Sequence, residues 1–186
     1  MTGLFGRRRQ AAARKTAQAL YKAAVARARD PVFYARHAVP DTLDGRFDMI
    51  SLHVFLVLYR LKQEGDGTKA LAQALFDTMF ADMDENLREL GVGDLSVGRR
   101  VKTMAQALYG RIAAYQAALD SDDEGALADA LQRNLYRGEA PPPAAVAAIA
   151  AYTRGQAAHL AGIGFGEVAA GGHIFAPLDP ADGAGK

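Results

Sequence analysis

The sequence predicts an all-α protein, a single-domain bundle of about six to seven helices with short connections. Apolar residues recur at three- and four-residue steps along most of the chain, which is the spacing of one helix face. Period-two alternation, the pattern of a half-buried strand, persists nowhere for long, and β-branched residues are sparse. The 186 residues suffice for one hydrophobic core, and the lack of cysteine excludes disulfides and thiol catalysis.

The first segment of the chain is strongly basic. Residues 1–30 contain eight lysines and arginines and one acid, although the whole chain has a formal net charge of only +1. We interpret residues 1–19 as a basic N-terminal arm, with a helix from about residue 10 to residue 29. Such an arm can contact a polyanion such as RNA, a ribosome or an anionic membrane surface, or it can simply be solvated. The candidate polyanion-binding residues are Arg7, Arg8, Arg9, Arg14 and Lys15.

A polar turn precedes the most apolar part of the chain. Pro40 and Gly45 are typical of a turn. The side chains of Asp41, Thr42 or Asp44 can accept hydrogen bonds from the first backbone N–H groups of a following helix. The turn therefore predicts a defined helix start.

From Phe47 to Lys62, apolar residues occupy nearly every side of the predicted helix. A helix that is apolar all round is buried all round, so we expect this segment to be the central helix of the bundle. His53 lies on it and is expected to be a hydrogen-bonded core residue rather than a metal ligand or a base. The other histidines are expected at the surface: His37, His159 and His173.

Two amphipathic helices follow. The first is expected over residues 68–90, with Gly91 as its stop. The second, expected over residues 97–119, begins after the short connection GVGDLSVG, in which Asp94 or Ser96 can serve as the cap. A connection this short predicts that the two helices pack antiparallel.

The rest of the chain is expected to hold two shorter helices and a tail. Ser121 and Glu124 form a capping-box pattern at the start of one helix, and three consecutive prolines open the other. The helical domain is therefore expected to span residues 20–160. Residues 161–186 are rich in glycine and proline and are predicted to be a flexible, loosely attached tail.

The residues do not form a pattern that points to a cofactor or a metal. Asp82, Asp84 and Asn86 alternate as in a calcium loop, but the glycine and the glutamate that such a loop needs are replaced by Leu87 and Gly93. No two histidines have metal-ligand spacing. A weaker alternative is an enzyme with an acid–base cluster formed by Asp41, Asp44, Arg46, Asp48 and His53.

Two long blocks of the sequence resemble the ubiquinol–cytochrome c chaperone family. They are ARDPVFYARHAVPDTLDGRFDMISLHVFLVLYRLK and LFDTMFADMDENLRELGVGDLSVGRRVKTMAQALYGR. The resemblance implies an all-helical assembly factor of the cytochrome bc1 complex, with no catalytic activity and no cofactor. Family members hold newly made cytochrome b, so cytochrome b or another bc1 subunit is the implied partner. Signature positions expected to be structural are Pro40, Gly45, Phe47, His53, Gly91 and Gly93.

A chaperone of this kind needs a client-binding surface. We expect it to combine the turn at residues 40–48 with the acidic segment 77–94, whose carboxylates would engage basic loops. Met79, Met83 and Met104 either line an amphipathic groove or belong to the core. The candidate binding residues are Asp41, Thr42, Asp44, Arg46, Asp82, Asp84, Glu85, Arg88 and Asp94, with Arg46 paired to a carboxylate.

The alternative function is that of an RNA- or ribosome-binding protein led by the basic arm. No small-molecule substrate is expected in the chaperone interpretation.

The most apolar window falls short of the roughly 20 residues that a transmembrane helix needs. The corresponding expectation is a cytoplasmic location, with a peripheral position at the inner membrane as a further option.

Overall fold

The computed structural model describes residues 2–178, apart from the side chains of residues 2–7 and 95. Within that range it contains eight α-helices, one short 3-10 helix and no strand, which confirms the all-α prediction. The helices are α1 (Thr2–Ala28), α2 (Pro31–Ala35), α3 (Leu43–Gln63), α4 (Lys69–Glu89), α5 (Asp94–Leu119), α6 (Ala126–Asn134), α7 (Pro143–Gly162) and α8 (Phe165–Ala170), with the 3-10 helix Gly65–Thr68 between α3 and α4.

α3 is the central helix that its composition predicts. Its residues are buried without a gap from Phe47 to Val57, and it contacts α1, α4, α5 and α7. Neighbours on all sides explain why this segment carries apolar residues on every face. Neither α3 nor any other helix in the described range is long and apolar enough to cross a membrane.

The polar turn before α3 determines where that helix begins. Of the three candidate caps, Thr42 is the one used, because its Oγ1 accepts a hydrogen bond from the backbone N–H of Gly45 at 3.1 Å. A Cβ atom added at Gly45 would lie 2.0 Å from the carbonyl oxygen of Pro40. Glycine is therefore required where the turn packs against the first turn of α3.

The basic N-terminal segment is part of a long helix. α1 runs without a break from Thr2, so the predicted boundary between arm and domain falls inside it. Ala17 is buried, and Tyr21 donates a hydrogen bond to Oδ2 of Asp82 on α4 at 2.7 Å. The side chain of Arg7 lies outside the described residues. The other basic candidates are exposed: Arg8, Arg9, Arg14 and Lys15.

Two glycines define the connection between α4 and α5. Gly91 has a φ of 77°, and the two hydrogen bonds of a Schellman motif close the end of α4 at 2.9 and 3.1 Å. This confirms Gly91 as the helix stop. Gly93 is the N-cap of α5, and no side chain caps that helix, so the prediction that Asp94 or Ser96 does so is wrong.

Ser121 forms a turn instead of starting a helix. Its Oγ accepts a hydrogen bond from the N–H of Asp123 at 3.0 Å, and α6 begins only at Ala126. The capping-box prediction for Ser121 and Glu124 is therefore wrong, because the local side-chain oxygens stabilise a turn that competes with the helix.

The end of the described chain packs on the core. Val168, Ile174 and Phe175 are buried, and the side chain of Gln156 makes two hydrogen bonds with the backbone of Ala176, at 2.9 and 3.2 Å. Residues 161–178 are thus held by core contacts and differ from the loosely attached tail that their composition predicts. Residues 179–186 of that predicted tail lie outside the described residues.

Candidate protein-binding groove

An open groove of about 550 Å³ lies where the start of α3, the end of α4 and residues 99–111 of α5 meet. Arg29 after α1 and Arg137 after α6 complete its wall. The groove is therefore bordered by both segments that the sequence predicts as a binding surface, the turn at residues 40–48 and the segment 77–94.

The groove has an apolar floor and an exposed apolar edge. Phe47, Ile50 and Leu87 form part of the floor and are buried. Leu43 and Leu90 stand at the edge with 60% and 62% of their surface exposed. An uncovered apolar patch of this kind, bordered by polar residues, is typical of a surface that binds another molecule.

Methionine contributes to the same groove. Met83 and Met104 line it, whereas Met79 is fully buried in the core. The prediction of a groove-lining role therefore fits Met83 and Met104, and the core role fits Met79 and also Met83, which is buried. The flexible thioether side chains can adapt to different apolar partners.

Arginine dominates the polar lining. Six arginines and two aspartates, Asp44 and Asp82, line the groove, so its charge is positive. This is the opposite of the acidic rim expected from segment 77–94, because α5 and the residues after α1 and α6 add arginines that a local count leaves out. The arginines are Arg29, Arg46, Arg99, Arg100, Arg111 and Arg137.

A buried ion-pair network supports the groove wall. Asp48 of α3 is fully buried; its Oδ1 lies 2.6 Å from Nη2 of Arg111, and its Oδ2 lies 2.7 Å from Nε of Arg137. Burial raises the pKa of Asp48, while the hydrogen bond from Arg137 and the charge of Arg111 oppose that rise. The two guanidiniums in contact with it favour the charged form of the carboxylate.

Arg137 reaches this network from an unusual backbone conformation. Its φ of 54° lies in the left-handed region, which residues other than glycine rarely adopt. From there its Nη1 lies 3.1 Å from Asp44 while its Nε contacts Asp48. Arg111 also lies over the ring of Phe47, with 5.8 Å between Cζ and the ring centroid. The network therefore joins α3, α5 and the segment after α6.

Three of the candidate binding residues line the groove: Asp44, Arg46 and Asp82. Arg46 is paired with a carboxylate as predicted, and the partner is Asp41 of its own turn, at 2.7 Å. Asp82 accepts the hydrogen bond from Tyr21, so its carboxylate is engaged within the fold.

The remaining candidates do not line the groove. Arg88 pairs with Asp84 at 2.6 Å and also contacts Asp94. Glu85 is exposed, and Thr42 serves as the cap of α3. The structure thus places these residues outside the lining of the groove.

His53 is a core residue, as predicted. Its Nδ1 lies 2.8 Å from the carbonyl oxygen of Met49, and its Nε2 lies 2.8 Å from the hydroxyl of Tyr152. A carbonyl only accepts, so Nδ1 carries the proton and Nε2 accepts from Tyr152. Burial lowers the pKa of His53 to about 4, so the ring is neutral at pH 7. His37 is also buried, so the prediction of a surface position is wrong for that residue.

The acid–base cluster considered for an enzyme does not form. Asp41 and Arg46 are exposed at the end of the bundle, whereas the ring of His53 is enclosed and Asp48 contacts two arginines. Within the described range, no three His, Cys, Asp or Glu side chains are grouped so that they could hold a metal ion.

Sequence reasoning missed the Asp48 network. A signal for it exists, because a carboxylate in an otherwise apolar helix needs a cationic partner. Arg111 lies between Leu108 and Tyr115 on the buried stripe of α5, which marks it as a candidate for that partner. Arg137 carries no comparable local signal.

The fold and the groove define the class: a helical bundle with an open amphipathic groove, the arrangement that suits binding of a partner helix. The model of the ubiquinol-cytochrome C chaperone family matches residues 35–175, and the chain belongs to that family.

Relatives of known name agree with this assignment. The chain is 29% identical over 141 residues to the ubiquinol-cytochrome-c reductase complex assembly factor 1 of Xenopus laevis. This alignment covers 76% of this chain and 70% of that protein. It is 30% identical over 128 residues to the human protein of that name. This second alignment covers 69% of this chain and 42% of the human protein. The chain therefore spans less than half of the human relative.

A solved structure shares the fold. The crystal structure of the Cbp3 homolog from Brucella abortus is similar to this chain with a TM-score of 0.80 and 41% sequence identity. The similarity covers 96% of this chain and 98% of that one. The bundle described above is therefore a fold that occurs in an experimental structure.

Proposed function

We propose that the chain is an assembly chaperone of the cytochrome bc1 complex and holds a newly made subunit, cytochrome b first among the candidates, in the groove. The observation that carries the proposal is the uncovered apolar groove with Leu43 and Leu90 exposed at its edge. Such a surface shelters apolar segments that would aggregate before their final partners join. Membership of the family is the reason for proposing a subunit of the bc1 complex as the bound protein.

The proposed action is binding without catalysis. The groove is lined by apolar side chains, arginines and a few other polar groups, and Thr103 is the only hydroxyl-bearing residue among those that line it. His53, the residue best suited to act as a base, is enclosed and neutral. The two carboxylates of the groove are engaged within the fold, Asp44 with Arg137 and Asp82 with Tyr21, which supports binding rather than catalysis.

Deletion and complementation test the proposal. Deleting the gene should lower the amount of assembled bc1 complex on native gels while other membrane complexes keep their normal amounts. The double variant Leu43→Gln/Leu90→Gln and the variant Arg46→Glu should both fail to restore assembly. Tyr109→Gln is the matched control, since Tyr109 is also exposed, at 57%, and does not line the groove. Unchanged bc1 levels after deletion would refute the proposal.

The basic face of α1 remains a prediction as a binding surface for RNA, a ribosome or an anionic membrane. Truncating residues 1–19 is a poor test, because Ala17 is part of the core. Replacing the exposed Arg8, Arg9, Arg14 and Lys15 by glutamine removes the charge and should keep the fold, because none of these side chains is buried. A polyanion bound through this face should be lost in that variant and at high salt.

A further inference from the structure

We infer that the groove accepts an amphipathic helix whose apolar face is flanked by carboxylates. This inference rests on the proposed function, since it names the chemistry of the client segment that the groove selects. Two independent observations carry it: the sign of the unpaired charge around the groove and the shape of its apolar floor.

The charge argument depends on which arginines already have a partner. Arg46 is paired with Asp41, Arg111 is paired with Asp48, and Arg137 is paired with both Asp48 and Asp44. These three guanidiniums are therefore neutralised within the fold.

Three other arginines of the groove have no such partner. No ion pair joins Arg29, Arg99 or Arg100 to a carboxylate within the part of the chain that the structure describes. All three side chains are exposed, and the latter two project from the first turns of α5. Opposite charge on a partner would steer its approach and fix its register, whereas a lysine-rich segment would be repelled.

The shape argument favours a helix. The groove is lined by helices α3, α4 and α5, so it offers no strand edge to which an extended peptide could be added. Its floor consists of apolar side chains from successive helical turns, such as Phe47 with Ile50 and Met83 with Leu87. Such a floor fits apolar anchors spaced by three and four residues on a partner helix. Exposed Leu43 and Leu90 extend the apolar contact beyond the floor.

The test compares synthetic peptides that differ only in charge. Two labelled peptides of about 18 residues, or five helical turns, carry the same leucine stripe and either glutamate or lysine beside it. Their affinity for the full-length protein is measured by fluorescence anisotropy at low and high salt. The glutamate peptide should bind at least about tenfold more tightly, and the difference should shrink as salt is raised.

Charge reversal then locates the site. Arg99→Glu/Arg100→Glu should weaken binding of the glutamate peptide at least about tenfold and improve binding of the lysine peptide. Lys22→Glu/Lys62→Glu reverses the same amount of charge at two exposed positions outside the groove and should leave both affinities unchanged. Urea unfolding of each variant checks that the fold is retained.

Several outcomes would overturn the inference. Equal binding of both peptides, preference for lysine, or equal effects of the two double variants would each contradict it. Binding of phosphatidylglycerol vesicles, with no binding of the glutamate peptide, would show that the groove takes an anionic lipid instead. If deletion lowers bc1 levels while the peptides bind equally, the chaperone proposal stands and only the predicted charge of the client segment fails.

Discussion

Arg111 of α5 places its guanidinium 2.6 Å from the carboxylate of Asp48, which is fully buried on the central helix α3. The side chain of Arg111 is itself only 9% exposed. Two charges removed from water in this way hold each other in place, because either one alone would be left without solvation. The pair therefore determines how the groove-lining half of α5 sits on α3.

Removing the buried anion should destabilise the fold strongly. In Asp48→Asn, Arg111 keeps a nearly buried charge without a counter-ion, and we expect a loss of about 3–5 kcal/mol in the free energy of unfolding. Urea denaturation followed by circular dichroism measures it. Asp44→Asn is the control, since Asp44 is 68% exposed and should contribute less than about 1 kcal/mol. Equal losses in the two variants would contradict the account.

Replacing the buried pair by apolar residues should recover stability. In Asp48→Leu/Arg111→Met, neither charge remains, and Arg137, which is half-exposed, can turn towards solvent. We expect the double variant to be more stable than Asp48→Leu alone, because the uncompensated charge is gone. The same urea titration measures the coupling, and additive losses would show that the two residues act independently.

Gly45 should tolerate no side chain. The added Cβ in Gly45→Ala would lie 2.0 Å from the Pro40 carbonyl oxygen, so the turn must shift, at a cost of about 1–3 kcal/mol. Gly110→Ala is the matched control in the middle of α5, where nothing lies within 4 Å of the new Cβ. That change should raise stability by up to about 1 kcal/mol through helix propensity. A neutral Gly45→Ala would mean that the turn is not packed as described.

Acid should destabilise the protein through His53. Burial lowers the pKa of His53 to about 4, from 6.5 in the unfolded chain. Between these values the unfolded chain binds a proton that the folded chain does not, so the free energy of unfolding falls as the pH is lowered. At pH 5 the contribution of His53 to this fall is about 2 kcal/mol.

The variant His53→Asn isolates this effect. Its amide can still donate to the Met49 carbonyl but does not titrate. Urea titrations at pH 7 and pH 5 should show a smaller fall for the variant than for the wild type, by about 2 kcal/mol. An identical fall in both proteins would mean that other groups cause the acid sensitivity.

Two buried tyrosines should respond differently to loss of the hydroxyl. The hydroxyl of Tyr115 has no hydrogen-bond partner among the described residues, whereas that of Tyr136 donates to the carbonyl of His37 at 2.7 Å. Tyr136→Phe should therefore lose about 1 kcal/mol, and Tyr115→Phe should be neutral or more stable. Thermal unfolding of both variants measures the difference. A larger loss of stability for Tyr115→Phe than for Tyr136→Phe would contradict the hydrogen bonding described for the two hydroxyls.

Local patterns predicted the fold well where a short stretch of the chain determines an element of secondary structure. The burial of α3, whose apolar residues lie on nearly every face, and the end of α4 at Gly91 are of this kind. Each depends only on residues that are close together in the chain. Phe175 belongs to a glycine-rich stretch that composition marks as loose, yet its ring packs on His53 at 5.2 Å between centroids. That contact joins residues far apart in the chain, so no local pattern reveals it.

The predicted sign of the charge around the groove was wrong for the same reason. The acids of segment 77–94 are visible in the sequence, but several of them are paired with Arg88 or bound by Tyr21 in the fold. Apart from Arg46 of α3, the arginines that line the groove come from α5 and from the segments after α1 and α6. Only the packing of these elements brings Arg29, Arg99 and Arg137 to one surface.

Site-specific photo-crosslinking in cells tests the central claim most directly. A photoreactive amino acid replaces Leu43 or Leu90 at the groove edge, and Tyr109, which is similarly exposed, provides the control position. Crosslinked products are identified by mass spectrometry while the bc1 complex is being assembled. The account predicts a bc1 subunit crosslinked from both groove positions and not from Tyr109. Crosslinks without any bc1 subunit at the groove, or the same subunit captured equally at Tyr109, would contradict it.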